Sequence, residues 1–249
     1  MDDPDGYFGE PVAASYDDPS DPMFQPAAID PAVSLLAELA GGGRALELAV
    51  GTGRIALPLS QRGVPVHGIE LSRAMAERLR GKPGGEAIGV TIGDMATTRV
   101  DGAFTVAYLV FNTINNLTSQ EAQVACFRNV AEHLAPGGCF VIETSIPPLR
   151  HLAPGQDILG YRAGSERIVS YSYDHATQQY HGHYVRFTDG TGEYRTTPFR
   201  YVWPSELDLM AQLAGLRLRD RWADWNREPF TTDSHSHVSV WQKLASPAG

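Results

Sequence analysis

The stretch ALELAVGTGRIALPL, residues 45–59, contains the signals of a strand, a tight turn and a helix in that order. A short apolar run is followed by glycines at positions 51 and 53, and an apolar helical segment begins at Ile55. Glycine adopts the positive φ angles of a sharp strand-to-helix turn and lets the backbone approach a ligand closely. The stretch therefore predicts a βα unit whose turn binds a nucleotide-like ligand.

Strands and helices alternate on both sides of this turn. Strand-like apolar runs occupy Arg44–Val50, Val64–Leu71, Ala87–Gly93, Phe104–Phe111 and Cys139–Thr144. Asp30 followed by Pro31 predicts the start of a helix before the first strand. Further helices are predicted at Ile55–Arg62, Ser72–Leu79 and Ser119–Leu134. This alternation is typical of an α/β fold with a doubly wound, mostly parallel (Rossmann-like) sheet.

The pattern changes after the fifth strand. Residues 165–203 alternate polar and apolar side chains, and Asp189-Gly190 and Thr191-Gly192 are turn signals. We therefore expect an inserted antiparallel β-hairpin sheet after strand five. The remaining predicted elements are a helix and two strands, at Glu206–Ala214, Leu216–Trp222 and Ser236–Lys243.

These elements divide a single domain, residues 1–249, into four parts. Residues 1–29 are acidic and proline-rich but carry several aromatic rings, which predicts an arm or lid that folds onto the body. Residues 30–145 form the expected cofactor-binding core, and residues 146–203 form an inserted region for substrate or dimer contacts. Residues 204–249 return to the core as its last helix and two strands.

Composition narrows the range of partners. The formal net charge is −9, and no basic stripe is present, which argues against nucleic acid as a partner. No apolar run approaches the roughly 18 residues of a spanning helix, and the acidic N-terminus does not resemble a signal peptide, so we expect a cytoplasmic protein without a membrane partner. Cys126 and Cys139 lie in apolar contexts and are expected to be buried and reduced. A small molecule is the expected partner.

The glycine turn by itself leaves two ligand classes open. Gly51-Thr52-Gly53-Arg54-Ile55-Ala56 fits the loose dinucleotide pattern, and Glu70 follows Gly51 by 19 residues. However, Glu47 is expected near the turn, where a carboxylate repels a pyrophosphate and favours a cationic ligand. Asp94, after the third strand, is placed to accept a hydrogen bond from an adenine amino group. Charge therefore favours a cationic, adenosine-containing cofactor over NAD.

Several segments together resemble the class I S-adenosylmethionine-dependent methyltransferases. Glu47–Gly53 resembles the first motif of that family, His67–Ser72 its second-strand motif, and Gly93-Asp94-Met95 its adenine motif. The fourth strand and the approach to the fifth are similar at Ala103–Leu117 and Leu134–Gly138. The resemblance covers about residues 12–145, and the final helix and two strands fit it in outline. Ala49 departs from the family, which usually has a glycine there, but its side chain is small.

The resemblance implies a seven-stranded sheet whose last strand is antiparallel, and S-adenosyl-L-methionine as cofactor. It assigns Glu47 to the methionine end of the cofactor and Glu70 to both ribose hydroxyls. Tyr16 resembles a tyrosine on a mobile arm that closes over the methyl donor, although its ring could simply pack in an interface. The residues expected to bind the cofactor are Tyr16, Glu47, Ala49, Gly51, Gly53, Arg54, Glu70, Leu71, Asp94, Met95, Val110 and Phe111.

The catalytic requirements are modest, because the sulfonium donor carries its own electrophile. Besides the lid residue Tyr16, a base matters only where the acceptor must lose a proton, and histidine suits that task near neutral pH. The histidines expected in the rim-side half are His151, His175, His181, His183, His235 and His237. We take His235 as the leading candidate. No metal site is predicted, since no carboxylate or cysteine follows the histidine pairs at a familiar ligand spacing.

The sequence thus predicts a methyltransferase that acts on a nitrogen or oxygen of a small molecule, of secondary-metabolite or amino-sugar type. One alternative is a protein of this fold that binds S-adenosylmethionine without transferring methyl groups. An NAD-dependent oxidoreductase is a weaker alternative, because of Glu47. The edges of the inserted hairpins could form a homodimer.

Overall fold

The computed structural model describes residues 6–164 and 166–244; the first five residues of the predicted arm, Ser165 and the last five residues lie outside the described part. The helices are α1 Glu10–Ala13, α2 Pro26–Ala40, α3 Ala56–Gln61, α4 Arg73–Arg80, α5 Gln120–His133 and α6 Pro204–Leu213. The strands are β1 Ala45–Leu48, β2 Val66–Glu70, β3 Gly89–Ile92, β4 Phe104–Leu109, β5 Leu134–Ser145, β6 Ile158–Ala163, β7 Arg167–Tyr173, β8 Gln179–Thr188, β9 Thr191–Arg200, β10 Leu216–Trp222 and β11 Ser236–Lys243.

A seven-stranded sheet in the order β3-β2-β1-β4-β5-β11-β10 forms the centre of the fold. The five strands from β3 to β5 are parallel, and β11 runs antiparallel to both of its neighbours. This confirms the predicted doubly wound sheet with an antiparallel last strand. The carboxyl ends of β1, β2, β4 and β5 consequently lie along one edge, where ligands bind in open α/β sheets.

Helices cover both faces of this sheet with apolar side chains. On one face, Phe127 of α5 and Met210 of α6 pack in the same core cluster as Phe140 of β5. On the other face, Leu36 of α2 and Leu59 of α3 pack with the strand residues whose side chains point to that face, such as Tyr108 of β4. Burial on both faces explains why the predicted parallel strands appear as continuous apolar runs.

Local signals placed most helix ends correctly. The Ser72 and Ser119 hydroxyls accept hydrogen bonds from the backbone amides three residues later, each at 3.1 Å, and so cap α4 and α5. The start predicted at Asp30 is wrong, because α2 begins at Pro26 and contains Pro31 in its interior. Pro26 also supplies the fixed φ of a first helical residue, and the alanine- and leucine-rich segment continues the helix past the hydrogen bond that Pro31 cannot make.

The predicted insertion is a separate four-stranded antiparallel sheet in the order β6-β7-β8-β9. Asp189 and Gly190 have φ angles of +49° and +77° and form the two-residue turn between β8 and β9, as predicted. The second predicted turn, at Thr191-Gly192, is wrong: both residues pair within β9, because Asp189-Gly190 already closes the hairpin. Strand β5 also begins earlier than predicted, since Leu134 pairs with Phe104 before the register shifts.

A buried polar network fixes the inserted sheet to the core. The Arg200 guanidinium, at the end of β9, donates to the Glu206 carboxylate of α6 at 2.7 Å and to the Gln178 amide oxygen at 3.0 Å. It also donates to Gln123 of α5, whose own amide donates back to the Arg200 carbonyl at 3.3 Å. Both ionic partners are largely shielded from solvent, with 5% and 15% of their side chains exposed.

Candidate active site

The turn after β1 has the backbone geometry that its glycines predicted. Gly51 and Gly53 have φ angles of +57° and +82°, and Ala49, the departure from the family pattern, also has a left-handed φ of +53°. A Cβ atom on Gly53 would lie 2.2 Å from Leu79 of α4, so no larger residue fits there without movement. Close packing and positive φ angles together bring the backbone amides of this turn to the edge of the sheet.

Glu70, at the end of β2, joins this turn to the start of α4. One carboxylate oxygen accepts a hydrogen bond from the Gly51 amide at 2.7 Å, and the other accepts one from the Ser72 amide at 2.9 Å. The residue is 5% exposed. The two backbone donors hold the carboxylate in one orientation beside the glycine turn.

Glu47 lies within the strand before the turn and is almost completely buried. The Tyr108 hydroxyl donates to its carboxyl group at 2.9 Å. Burial raises the pKa of Glu47 to about 8, although the Tyr108 hydrogen bond and the positive charge of Arg54 both act to lower it. In this environment Glu47 is mostly protonated at neutral pH, and a nearby cation would favour its ionised form.

Arg54 occupies the space between the turn and the N-terminal arm. Its guanidinium stacks on the Phe111 ring, lies 5.4 Å from the centre of the Phe24 ring, and donates to the Met23 carbonyl at 3.1 Å. Burial lowers the pKa of Arg54 to about 10, so the side chain stays charged at neutral pH. The arm, the glycine turn and the end of β4 therefore meet around one partly buried cation.

The arm folds over the glycine turn and brings Tyr16 to the site. The Tyr16 ring packs edge-to-face with Phe8 and Phe24, at 6.3 and 6.0 Å between ring centres. Burial raises the pKa of Tyr16, and Arg54 counteracts this. The neighbouring Asp17 accepts a hydrogen bond from the Thr52 hydroxyl at 2.6 Å and forms an ion pair with Lys82 at 2.7 Å.

The other predicted cofactor residues lie along the same edge with different exposure. Asp94 is exposed, and its carboxylate accepts a hydrogen bond from the Ala96 amide at 2.8 Å. Leu71 is 49% exposed after the end of β2, whereas Met95 and Val110 are largely buried in the core.

Phe111 and Glu143 form a contact that sequence reasoning missed. Phe111 has a φ of +57°, and its amide donates to the Glu143 carboxylate at 3.0 Å. Burial raises the pKa of Glu143, while hydrogen bonds from Phe111 and Trp225 and the charge of Arg54 lower it. The only signal in the sequence is an acidic residue at the end of the apolar run CFVIETS, residues 139–145.

The histidines have separate environments. His235 is exposed just before β11, and its ring stacks on that of His151 with 6.4 Å between centres. His237 is buried within β11, and burial lowers its pKa to about 3. His181 and His183 stack on each other, and the His183 ring makes a hydrogen bond with Tyr194. The structure thus leaves His235, with His151, at the rim.

Neither a metal centre nor a membrane span is found in the described part of the chain. No group of three or more histidine, cysteine, aspartate or glutamate side chains within residues 6–164 and 166–244 could hold a metal ion. Over the same residues, no helix combines the length and the apolar character that crossing a bilayer requires.

Comparison with known proteins identifies the family. A family model described as a methyltransferase domain matches residues 45–138. The CcbJ methyltransferase from Streptomyces caelestis is 33% identical, with a TM-score of 0.81 over 96% of this chain and 98% of that one. The cypemycin N-terminal methyltransferase from Streptomyces sp is 27% identical over 207 residues, which are 81% of this chain and 84% of that protein.

A further solved structure contains the cofactor. It is the S-adenosylmethionine-bound amino pentose methyltransferase CalS10 from Micromonospora echinaspora, which has a TM-score of 0.66 and 20% identity over 93% of this chain and 95% of that one. Its likeness concerns the fold. Together with the family match and the geometry of the glycine turn, these findings show that the chain belongs to the class I S-adenosylmethionine-dependent methyltransferases.

Proposed function

We propose that this enzyme transfers the methyl group of S-adenosylmethionine to an amine nitrogen of a small molecule. The assignment of S-adenosylmethionine as the methyl donor rests on the pair of buried carboxyl groups, Glu47 and Glu70, which lie on neighbouring strands beside a glycine turn with left-handed φ angles. The assignment of an amine as the methyl acceptor is supported by the relatives, because one is named as an N-terminal methyltransferase and another as an amino pentose methyltransferase.

The residues of the crevice fit the parts of the donor. Glu70, oriented by two backbone amides, would accept hydrogen bonds from the ribose hydroxyls. Glu47 would ionise beside the cationic methionine end, and Arg54 would pair with the methionine carboxylate. Asp94 would accept from the adenine amino group. When bound, S-adenosylmethionine supplies an electrophilic methyl group on a sulfonium sulfur.

The protein contributes mainly position and the exclusion of water. Tyr16 and the aromatic residues around it cover the glycine turn, and Asp17 holds the arm closed through Thr52 and Lys82. Holding two reactants in line can contribute roughly 7–11 kcal/mol to a bimolecular transfer. The arm is therefore proposed to act as a lid over the reacting atoms.

An amine acceptor must be unprotonated before it attacks. His235 and the His151 ring stacked on it are exposed at the rim, where an imidazole can take a proton and pass it to solvent. We propose His235 as that base. Tyr173 of the inserted sheet is unsuitable for the same task, since burial raises its pKa to about 12.

Calorimetry and a turnover assay test the two halves separately. We expect S-adenosylmethionine and its demethylated product to bind in the micromolar range, and NAD not to bind. Binding of NAD at comparable strength would contradict the donor assignment. Turnover is then measured by mass spectrometry on amines and on matched alcohols. Methylation of the alcohols alone would contradict the amine acceptor, and donor binding without turnover on either panel would favour a binding protein.

A further inference from the structure

The inserted sheet presents one face of aromatic rings to the core. Its alternation places Tyr171, Tyr173, Tyr180, Tyr184 and Phe199 on this side, which we call the tyrosine face. Tyr180 stacks between Tyr173 and Phe199, with ring centres at 5.4 and 5.0 Å. The hydroxyls of Tyr171 and Tyr184 are joined by a hydrogen bond.

The tyrosine face is shaped by a glycine. Gly182 lies opposite Thr197 on β9, and a Cβ atom at Gly182 would meet the Tyr184 hydroxyl at 2.5 Å. The Tyr184 ring therefore lies across the sheet over Gly182. Burial raises the pKa of both Tyr180 and Tyr184, so that the phenols remain neutral hydrogen-bonding groups.

Two polar atoms next to this face are buried but lack partners. Within the described residues, neither Asn115 Oδ1 nor Thr197 Oγ1 has a hydrogen-bond partner, and the two residues are only 6% and 2% exposed. The Asn115 amide nitrogen donates to the Tyr180 hydroxyl at 3.2 Å. If the oxygen and nitrogen of the Asn115 side-chain amide are exchanged, the nitrogen becomes the atom without a hydrogen-bond partner. One polar atom of this side chain is therefore unpaired in either orientation. Unpaired buried polar groups cost free energy, and native proteins contain few of them.

These atoms lie between the donor crevice and the inserted sheet. Asn115 belongs to the short helical turn that follows Phe111 and Asn112 at the end of β4. Its backbone N–H donates to the backbone carbonyl of Asn112 at 2.9 Å. Strand β9, which carries Thr197, packs against this turn. A molecule bound here would be close to the edge of the sheet where we place the donor.

We propose that Asn115 and Thr197 bind the methyl acceptor, and that this acceptor is a hydroxylated ring amine whose N–H donates to Asn115 and whose O–H donates to Thr197. The proposal rests on the proposed amine methylation. The tyrosine face offers apolar ring atoms to the C–H groups of a saturated ring, and its neutral oxygens suit uncharged donors. Asn115 Oδ1 and Thr197 Oγ1, which have no hydrogen-bond partner among the described residues, thus gain one when the acceptor binds.

The first test needs no substrate, because an unpaired hydroxyl contributes no hydrogen bond to stability. Thr197→Val removes it, and Thr144→Val is the matched control: Thr144 is 1% exposed, and its hydroxyl donates to Asn112 Oδ1 at 3.2 Å. We expect the melting temperature of Thr197→Val to equal or exceed that of the wild type, and that of Thr144→Val to fall by about 2–4 °C. An equal fall in both variants would overturn the proposal.

The second test uses two ring amines, a methyl 3-amino-3-deoxyglucoside and cyclohexylamine, which lacks hydroxyl groups. We expect kcat/KM of Thr197→Val for the amino sugar to fall at least tenfold, with kcat/KM for cyclohexylamine and donor affinity unchanged. An equal loss for both amines, or no loss for the amino sugar, would overturn the proposal. If the wild type binds donor and methylates neither amine, the proposed amine acceptor is wrong, while the melting comparison still decides whether the Thr197 hydroxyl is unpaired.

Discussion

At the end of β2, the group available to a ligand is a carboxyl group held by two backbone amides, whereas on the inserted sheet the groups are phenols and amides held by other side chains. Glu70 is positioned by two amides from residues close to the glycine turn and α4. Tyr180 is positioned by stacking and by Asn115, which is 65 residues away in sequence. Backbone geometry at the glycine turn therefore orients Glu70 in the proposed donor crevice, and long-range packing builds the proposed acceptor surface.

The two regions also differ in how they handle charge. Glu47 is buried, Glu143 and Arg54 are partly buried, and the charge of Arg54 acts on both glutamates. Burial raises the pKa of the two glutamates and lowers that of Arg54, which favours the neutral form of each. Burying these groups costs free energy when no charged ligand is bound, and a bound ligand of complementary charge offsets that cost. The tyrosine face instead keeps neutral groups, which suits an acceptor that must be uncharged to react.

The largest expected effect concerns the attachment of the inserted sheet. Arg200→Met removes the buried contacts to Glu206, Gln123 and Gln178, and we expect a loss of about 3 kcal/mol in the free energy of unfolding, measured by urea denaturation. Donor affinity should not change, because the crevice lies on other elements. Arg195→Met on the same strand is the control: its ion pair with Glu193 is exposed and should contribute less than about 0.5 kcal/mol. Equal effects would mean that aromatic packing alone holds the sheet.

The difference between the regions also explains what could be predicted from the sequence. The glycine turn, the helix starts at Ser72 and Ser119 and the Asp189-Gly190 hairpin are local signals, and the structure contains all of them. Strand β6 was missed because most of its residues are exposed, so that it lacks an apolar alternation. Glu143 was missed because its partner Trp225 comes from a distant segment, and no spacing rule links them.

A second prediction tests the donor crevice at Glu70. Glu70→Ala removes the acceptor proposed for the ribose hydroxyls, and hydrogen bonds to charged groups contribute roughly 1.5–3 kcal/mol. We expect the dissociation constant of S-adenosylmethionine, measured by calorimetry, to rise about ten- to hundredfold. Glu77→Ala, an exposed glutamate on α4, is the control and should leave donor affinity unchanged. An unchanged affinity in Glu70→Ala would place the ribose elsewhere.

A third prediction concerns pH. The pKa of Glu47 is raised to about 8 in the ligand-free protein, and a bound cation favours the ionised carboxylate, so the contribution of Glu47 to binding is greatest above pH 8 and weakens as the pH falls. We expect the contribution of Glu47 to donor affinity to fall about tenfold between pH 9 and pH 7. The donor's own amine titrates in this range, but it does so equally in Glu47→Gln. The prediction therefore concerns the difference between the two proteins, and parallel pH profiles would contradict it.

The smallest expected effect is at the proposed lid, the N-terminal arm over the glycine turn. Asp17→Asn keeps an oxygen for the Thr52 hydroxyl but removes the charge that pairs with Lys82. Both side chains are about one-third exposed (35% and 30%), so the pair contributes less than about 1 kcal/mol. We expect the demethylated product to dissociate about two- to fivefold faster by stopped flow, and added salt to bring the wild type to the same rate. The control is Glu10→Gln, which removes the arm's more exposed pair with Arg78. If Glu10→Gln accelerates release of the demethylated product as much as Asp17→Asn does, the arm closes through its overall charge, and Asp17 has no special role at the glycine turn.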